Sequence, residues 1–394
     1  MVAFGYTLMT EQRGPRELVA DAVAAENAGF DFEVCSDHYS PWLAVQGHAP
    51  NAWAVLGAVA SATQRVPLMT YVTCPIMRYH PAVVAQQAAT VALLAGDGRF
   101  TLGLGAGENL NEHVVGQGWP PANVRHEMFA EALEIIGELF AGEYVNRVGR
   151  HFRVDSAKLW DVPAGGVPVA VAVSGAQSVE AFAPSADAMV AVEPLPELVK
   201  GFDAAAGVTL PKIGQQPIAW GADPAEAVAR AHDQFRWFAG GWKVNAELPG
   251  PAAFAGATQF VRPEDVAGAI PCGPDVAAHV EAVRPFVDAG FTHVALAQIG
   301  GTRSRSSSGS PSASCCRRCV PSTARARTPP SGPVPAADDR RRPARLDQHQ
   351  WIGRPAPAPC APFAPIMACL NASGWGNRQP WTFAGGGPGR CCAN

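Results

Sequence analysis

Short apolar runs alternate with helical patterns along the first 300 residues of this chain. Eight of these runs have the length and the bounds of buried strands, namely Ala3–Met9, Phe30–Ser36, Val66–Val72, Phe100–Ala106, Val167–Val173, Ala188–Val192, Ile213–Ile218 and His293–Gln298. Strands separated by helical segments pair in parallel, because each connection crosses back over the sheet. The pattern therefore predicts an α/β fold with a parallel sheet at its centre.

The segments between these runs carry the period of amphipathic helices. Apolar residues recur every three or four positions from Met128 to Leu139 and again from Val276 to Val287, where Pro285 is expected to bend the helix. Val145–Val154, with a turn near Gly149, predicts an inserted hairpin. Eight strands with helical connections over about 300 residues favour a (β/α)8 TIM barrel over an open sheet. The chemistry of such a barrel lies at the C-terminal ends of its strands.

The charge of the chain divides it into two parts. Residues 302–394 contain 13 arginines, three aspartates and seven of the ten cysteines, whereas residues 1–301 carry a net charge of −14. An acidic body argues against a nucleic-acid partner, which requires a surplus of lysine and arginine. The chain shows neither the roughly 20 uninterrupted apolar residues of a membrane helix nor a signal-peptide pattern. We therefore expect a cytoplasmic enzyme that acts on a small molecule.

The second predicted strand ends in polar residues suited to catalysis. Ser36, Asp37 and His38 close the strand, and Trp42 follows four positions later. A carboxylate, an imidazole and an indole this close could supply a general base and an aromatic wall for a flat ring. The alternative is an aspartate that caps a turn beside an exposed histidine, and the motif alone leaves both interpretations open.

Three glycines alternate along the fourth predicted strand, at Gly103, Gly105 and Gly107. They leave one face of the strand without side chains, so that a neighbour or a ligand can approach the backbone. The spacing is not G-x-G-x-x-G and no helix follows at once, which argues against a Rossmann dinucleotide site. Glu108, where the strand opens into a loop, is either a candidate acid or a solvated loop carboxylate.

Other strand ends carry weaker signals. Cys74 is a candidate nucleophile, although a single cysteine more often only packs. The turn Ser174–Ala176 opens a helix whose amides could bind phosphate or could form an ordinary N-cap. No H-E-x-x-H or comparable spacing occurs, so no metal is expected. One aromatic region is interpreted as core or lid rather than as part of a cofactor site: Trp237, Trp242 and Phe254.

Four motifs together closely resemble the luciferase-like barrel superfamily. They are Ser36-Asp37-His38 with Trp42, Gly47-His48-Ala49-Pro50, Arg78–Gln86 and Gly105–His113. Within that superfamily they are most similar to the deazaflavin-dependent branch related to coenzyme F420-dependent glucose-6-phosphate dehydrogenase. The similarity runs from about Ala3 to Gly301.

The resemblance implies a (β/α)8 barrel that binds coenzyme F420 at its C-terminal mouth and transfers a hydride between a substrate carbon and C5 of the deazaflavin. It implies that His38 takes the substrate hydroxyl proton, Trp42 packs at the reacting centre and Glu108 is the acid near the ring. It also implies a cofactor pocket whose ring end is lined by Asp37, Tyr71, Val72, Cys74, Ala106, Gly107 and Asn111, and whose phosphate end is held by Ser174, Gly175 and Ala176. The Tyr71–Val72 peptide is often cis in this superfamily, and its barrels often form homodimers.

One stretch departs from the sugar-phosphate enzymes of that branch. Those enzymes hold the substrate phosphate with lysines and an arginine beyond strand six, whereas Val192–Glu197 in this chain is acidic and has no cation. Because a carboxylate repels a phosphate, we expect a neutral or hydrophobic alcohol, or its ketone, in place of glucose 6-phosphate. The alternative function is an FMN-dependent monooxygenase on the same barrel.

The resemblance stops after Gly301, where a barrel should receive its closing helix. Residues 302–394 are rich in Arg, Ser, Pro, Ala and Cys and have no Lys, Glu or Tyr. This composition predicts a disordered basic tail or a metal-binding cysteine cluster, or it results from GC-rich coding DNA translated out of frame. We favour the frameshift, which predicts that another reading frame encodes an amphipathic helix.

Overall fold

Apolar residues on both faces of the strands place the sheet between a filled interior and an outer layer of helices. The computed structural model describes residues 1–300 and 363–376, which belong to one compact unit. Its strands in chain order are β1 Ala3–Leu8, β2 Phe32–Cys35, β3 Leu68–Thr70, β4 Phe100–Leu104, β5 Val145–Val148, β6 Arg153–Ala157, β7 Val169–Ala172, β8 Ala188–Val190, β9 Lys212–Trp220, β10 Cys272–Gly273 and β11 His293–Gln298.

Eight of the strands close into a parallel barrel. Each pairs with the next in the order β1-β2-β3-β4-β7-β8-β9-β11, and β11 pairs with β1 again. The predicted barrel is therefore confirmed, and each of its eight strands coincides with one of the predicted runs. The strand β10 was not predicted, because two residues beside the end of β9 are too short to show a period. The predicted hairpin is the antiparallel pair β5–β6.

Helices connect the strands on the outside of the barrel. They are α1 Pro15–Ala28, α2 Ala52–Ala62, α3 Pro81–Ala95, α4 Asn109–Glu112, α5 Ala122–Phe140, α6 Ala176–Phe182, α7 Pro196–Ala206, α8 Pro224–Phe235, α9 Trp242–Asn245, α10 Pro251–Ala257, α11 Pro263–Ala269, α12 Val276–Ala289 and α13 Ala364–Ala372. Pro285 lies inside α12, as the sequence indicates. None of the described helices is long and apolar enough to cross a membrane.

One cluster of apolar side chains fills the barrel below its C-terminal mouth. Phe32, Val34, Met69 and Ile213 are fully buried there. Gly5 makes room for the largest of them, because a Cβ on Gly5 would overlap with the ring of Phe32. The filled interior gives the mouth a rigid floor.

The prediction for residues 302–394 lies mostly outside the described residues, but its described part contains α13. Phe363, at the start of α13, is fully buried and packs edge-on against Tyr6 and Phe30. After the helix, the carbonyl of Trp375 accepts a hydrogen bond from the amide of Val2. In this part the structure differs from the sequence prediction, because a nine-residue segment that is apolar almost throughout shows no helical period. The segment nevertheless packs against α12 and, through Phe363, against the first strand.

Candidate active site

A cavity of about 530 Å³ opens at the C-terminal ends of the barrel strands. Most of the predicted site residues line it, namely Asp37, His38, Trp42, Tyr71, Val72, Cys74, Ala106, Gly107, Glu108, Asn111 and Ser174. Gly175 and Ala176 are not part of the lining. The placement of chemistry at the C-terminal ends of the strands, which we call the strand-end rule, therefore brings together residues that are up to 137 positions apart in the chain.

His38 lies between two carboxylates at the centre of this cavity. Its Nε2 is 3.2 Å from Oε1 of Glu108 and 3.5 Å from Oε1 of Glu11. Its Nδ1 is 3.2 Å from the carbonyl oxygen of Ser40, which can only accept a hydrogen bond. Nδ2 of Asn111, which can only donate, also lies 3.2 Å from Nδ1 and favours the opposite tautomer. In the tautomer with its proton on Nδ1, Nε2 is the basic atom, and the two carboxylates stabilise the imidazolium once it forms.

Glu11 is a site residue that the sequence analysis missed. Its Oε2 accepts a hydrogen bond from Oγ of Ser36 at 2.6 Å, and its Oε1 accepts one from Nε1 of Trp42 at 3.2 Å. The carboxylate is almost fully buried, so it contacts the candidate base and also fixes the indole beside it. The strand-end rule applied to β1 would have found it, because Glu11 comes three residues after that strand ends.

Glu108 is buried where β4 gives way to the short helix α4. Its Oε1 accepts a hydrogen bond from Nδ2 of Asn111 at 2.6 Å. Oδ1 of Asn111 in turn accepts from the amides of Tyr39 and Ser40, which follow the candidate base. Burial raises the pKa of Glu108, and the neighbouring imidazole of His38 opposes that rise. Glu108 is therefore a buried carboxyl that keeps its proton to higher pH than an exposed one, which excludes the alternative of a solvated loop carboxylate.

The carboxylate of Asp37 is held within the protein. It accepts hydrogen bonds from Oγ1 of Thr73 at 2.7 Å and from Nη2 of Arg78 at 3.2 Å. Glu112 binds the other side of the same guanidinium at 3.4 Å, and burial raises the pKa of Glu112 to about 7. This cluster anchors the backbone immediately before His38, because Nη2 of Arg78 also donates to the Asp37 carbonyl.

The backbone of β3 and β4 forms another side of the cavity. The Tyr71–Val72 peptide is cis, and the hydroxyl of Tyr71 is buried without a hydrogen-bond partner among the described residues. Cys74 packs against Gly107, where a Cβ would overlap with the sulfur and where φ is 78°. Burial raises the pKa of the Cys74 thiol well above its usual value, which supports the packing interpretation over a nucleophile.

The turn that opens α6 differs from a free phosphate site. The amides of Ser174 and Gly175 both donate to Oγ of Ser178, at 3.1 Å and 3.2 Å. These two donors are therefore already paired, as in an ordinary helix start. Binding of the cofactor phosphate end at Ser174, Gly175 and Ala176 stays a prediction.

An aromatic wall closes the side of the cavity opposite the barrel strands β3 and β4. We use this name for Trp42, Phe235, Trp237, Phe238 and Trp242, all of which line the cavity. The indoles of Trp42 and Trp237 stack with centroids 4.0 Å apart and planes 8° apart. Phe254 is fully buried behind them, edge-on to Trp42. The interpretation as core thus holds for Phe254, whereas Trp237 and Trp242 are lining residues.

Comparison with known proteins identifies the family of the chain. A family model described as luciferase-like monooxygenase matches residues 2–293. This chain belongs to that family. A family member from Beutenbergia cavernae, named F420-dependent glucose-6-phosphate dehydrogenase, is 47% identical over 175 residues, 44% of this chain and 52% of its own length. The chain thus matches about half of that relative.

Two longer alignments involve other F420-dependent members of the luciferase-like family. A Nakamurella multipartita protein, also named F420-dependent glucose-6-phosphate dehydrogenase, is 34% identical over 319 residues, 77% of this chain and 93% of the relative. A Mycobacterium tuberculosis protein, named F420-dependent hydroxymycolic acid dehydrogenase, is 37% identical over 295 residues, 73% of this chain and 80% of the relative. The names of these three relatives all describe F420-dependent dehydrogenases, and the substrates in those names differ.

Two solved structures share this barrel. An F420-dependent secondary alcohol dehydrogenase in complex with an F420-acetone adduct is similar with a TM-score of 0.69 and 27% identity, over 76% of this chain and 94% of that chain. A long-chain alkane monooxygenase is similar with a TM-score of 0.56 and 14% identity, over 76% and 87%. The second likeness shows the fold alone.

Proposed function

We propose that the protein is a coenzyme F420-dependent dehydrogenase that acts on the CH–OH group of an alcohol, or on the corresponding ketone in reverse. The observation that supports this most directly is the position of His38 Nε2 between Glu108 and Glu11 in the barrel mouth. Oxidation of an alcohol requires a base at the hydroxyl oxygen, and this is a base with two supporting carboxylates. The relatives named F420-dependent dehydrogenases support the same reaction.

The residues present suit a bound deazaflavin. A flat ring requires a mostly apolar cavity with a few polar groups at its edge, typically of about 300–1,000 Å³. The cavity here has about 530 Å³, and the buried Tyr71 hydroxyl in its lining has no partner among the described residues. We infer that Tyr71, the Val72 backbone, Ala106, Gly107 and Asn111 would hold the ring.

In this proposal each polar residue has a task at a stated atom. Nε2 of His38 accepts the hydroxyl proton of the alcohol, and the carboxylates of Glu11 and Glu108 stabilise the charge that this creates. Bound F420 supplies a hydride acceptor at C5. Glu108, whose pKa is raised by burial, is the candidate acid near that ring. Trp42 is held by Glu11 against the reacting carbon.

The first experiment compares binding of F420 and FMN to the purified protein by fluorescence quenching. We expect tight binding of F420 and at most weak binding of FMN. A preference for FMN, followed by substrate-dependent oxygen consumption, would replace the proposal by the monooxygenase alternative. The homodimer stays a prediction, which sedimentation of the same sample would test.

A further inference from the structure

The charges around the cavity bear on the kind of substrate. Among the described residues, the arginines that line it are Arg78 and Arg125. Arg78 is paired with Asp37 and Glu112, and Arg125 is paired with Glu247 at 2.8 Å. Neither guanidinium is available to a phosphate without breaking a buried or half-buried ion pair.

Three further cations, Lys243, Arg262 and Arg284, do not change this picture. Arg262 pairs with Asp265 and Arg284 pairs with Glu281, and neither arginine lines the cavity. Lys243 is likewise absent from the lining. Glu193 does line the cavity, on the acidic stretch where the sugar-phosphate enzymes are expected to place cations. Among the described lining residues, a dianionic substrate would therefore face carboxylates and no unpaired arginine or lysine.

The aromatic wall offers the opposite environment. Trp42 lies with its ring centroid 5.0 Å from that of His38, so the wall begins at the candidate base. Trp237 extends it by a parallel stack, and its Nε1 is buried without an acceptor among the described residues. Trp237 is therefore held by the packing of its faces against Trp42 and Phe235, and the surface it adds to the cavity is carbon.

We propose that the substrate is an uncharged secondary alcohol, or its ketone, with an aliphatic or aromatic substituent that packs on the aromatic wall, and that Trp237 determines this specificity. This rests on the dehydrogenase function proposed above. In the oxidation, the carbinol C–H bond breaks and its hydride reduces F420 at C5. The O–H proton passes to Nε2 of His38, and the carbinol carbon becomes a carbonyl carbon.

The test compares kcat/KM for 2-propanol, 2-hexanol, 1-phenylethanol and glucose 6-phosphate with F420 as acceptor. Each fully buried methylene is expected to increase kcat/KM roughly fourfold. Because 2-hexanol has three more methylenes than 2-propanol, its kcat/KM should be higher by about 10- to 60-fold. Trp237→Ala should lower kcat/KM for 2-hexanol and 1-phenylethanol about tenfold more than for 2-propanol, mainly through KM. Trp237→Phe should restore most of the difference.

A matched control is Trp160→Ala, because Trp160 lies on the surface after the hairpin and is 77% exposed. It should leave all four rates unchanged. A second readout needs no cofactor: saturation-transfer NMR should detect binding of 1-phenylethanol to the wild type, and weaker binding to Trp237→Ala.

The outcomes separate the two proposals. If F420 is bound and glucose 6-phosphate is oxidised more efficiently than every neutral alcohol, the substrate class is wrong and the dehydrogenase function stands. If all alcohols lose the same factor in Trp237→Ala, the role of Trp237 is wrong. If F420 does not bind, or no substrate reduces it, the dehydrogenase function is wrong and the substrate class is wrong with it.

Discussion

The two sides of the barrel mouth differ in both chemistry and origin. The polar side comes from the ends of β1 to β4, where His38 lies within 3.5 Å of both Glu11 and Glu108. The aromatic side comes mainly from one later segment, residues 235–242, which runs from the last residue of α8 to the first residue of α9. The polar side depends on strand geometry, which the barrel fixes, whereas the aromatic side depends on a connection that a barrel can vary. We propose that reaction type and substrate preference are carried by separable parts of this chain.

The largest effect is expected on the polar side. Replacing His38 by alanine should lower kcat about 10³-fold, because a positioned general base typically contributes about 10²–10⁴-fold. Binding of F420, measured by fluorescence, should change little. The control His151→Ala removes a histidine of the hairpin region and should leave kcat unchanged. A variant of His38 that keeps full kcat would contradict the assignment of the base.

A substitution in helix α13 should lower the stability of the protein without removing a residue of the candidate active site. Leu370 is fully buried in α13, so Leu370→Ala should lower the free energy of unfolding by about 2–5 kcal/mol. Urea unfolding measures this, with the exposed neighbour Cys369→Ala as control. An unchanged midpoint for Leu370→Ala would show that α13 does not pack on the barrel in solution.

A pH effect is expected in the cluster beneath the polar side. The pKa of Glu112 is raised by burial from 4.5 to about 7, so the folded protein binds this proton more tightly than the unfolded chain does. The associated stability is complete below about pH 4.5 and is lost as the pH rises through 7. Between pH 5 and 8 the wild type should therefore lose about 2–3 kcal/mol relative to Glu112→Gln. Exposed Glu143→Gln serves as control, and parallel pH curves for Glu112→Gln and the wild type would refute the shift.

The smallest effect is expected for Glu11, which contacts both His38 on the polar side and Trp42 on the aromatic side. Glu11→Gln keeps an acceptor for Nε1 of Trp42 but removes the negative charge beside His38. We expect kcat to fall about tenfold, less than the hundredfold that a misplacement of about 1 Å can cost. An unchanged kcat would assign Glu11 a purely structural role, and binding of F420, measured by fluorescence, should equal that of the wild type.

Much of the fold was predictable from the sequence, because buried strands and helices each impose a period. All eight barrel strands and the helix α12 that contains Pro285 follow from that pattern. The helix α13 did not, since it is short, almost every residue in it is apolar, and its neighbours in the chain have a biased composition. It is identified by the burial of Phe363 and Leu370 and by the edge-on contact of Phe363 with Tyr6.

The site was predictable where a recognisable motif follows a strand end. His38 and Glu108 were found because each comes directly after a predicted strand. Glu11 was missed because no motif marks it, and its role depends on contacts with Ser36 and Trp42 that only the fold creates. Trp237 could not be assigned to core or cavity, because an aromatic residue has the same sequence signature in both.

The stack of Trp42 on Trp237 has an optical consequence. Two indoles held nearly parallel with centroids 4.0 Å apart couple their ultraviolet transitions, so the pair should give a circular-dichroism couplet that isolated tryptophans lack. The protein therefore carries its own reporter of the geometry beside the reacting centre. Anything that enters between the rings or turns one of them would change that signal without any label.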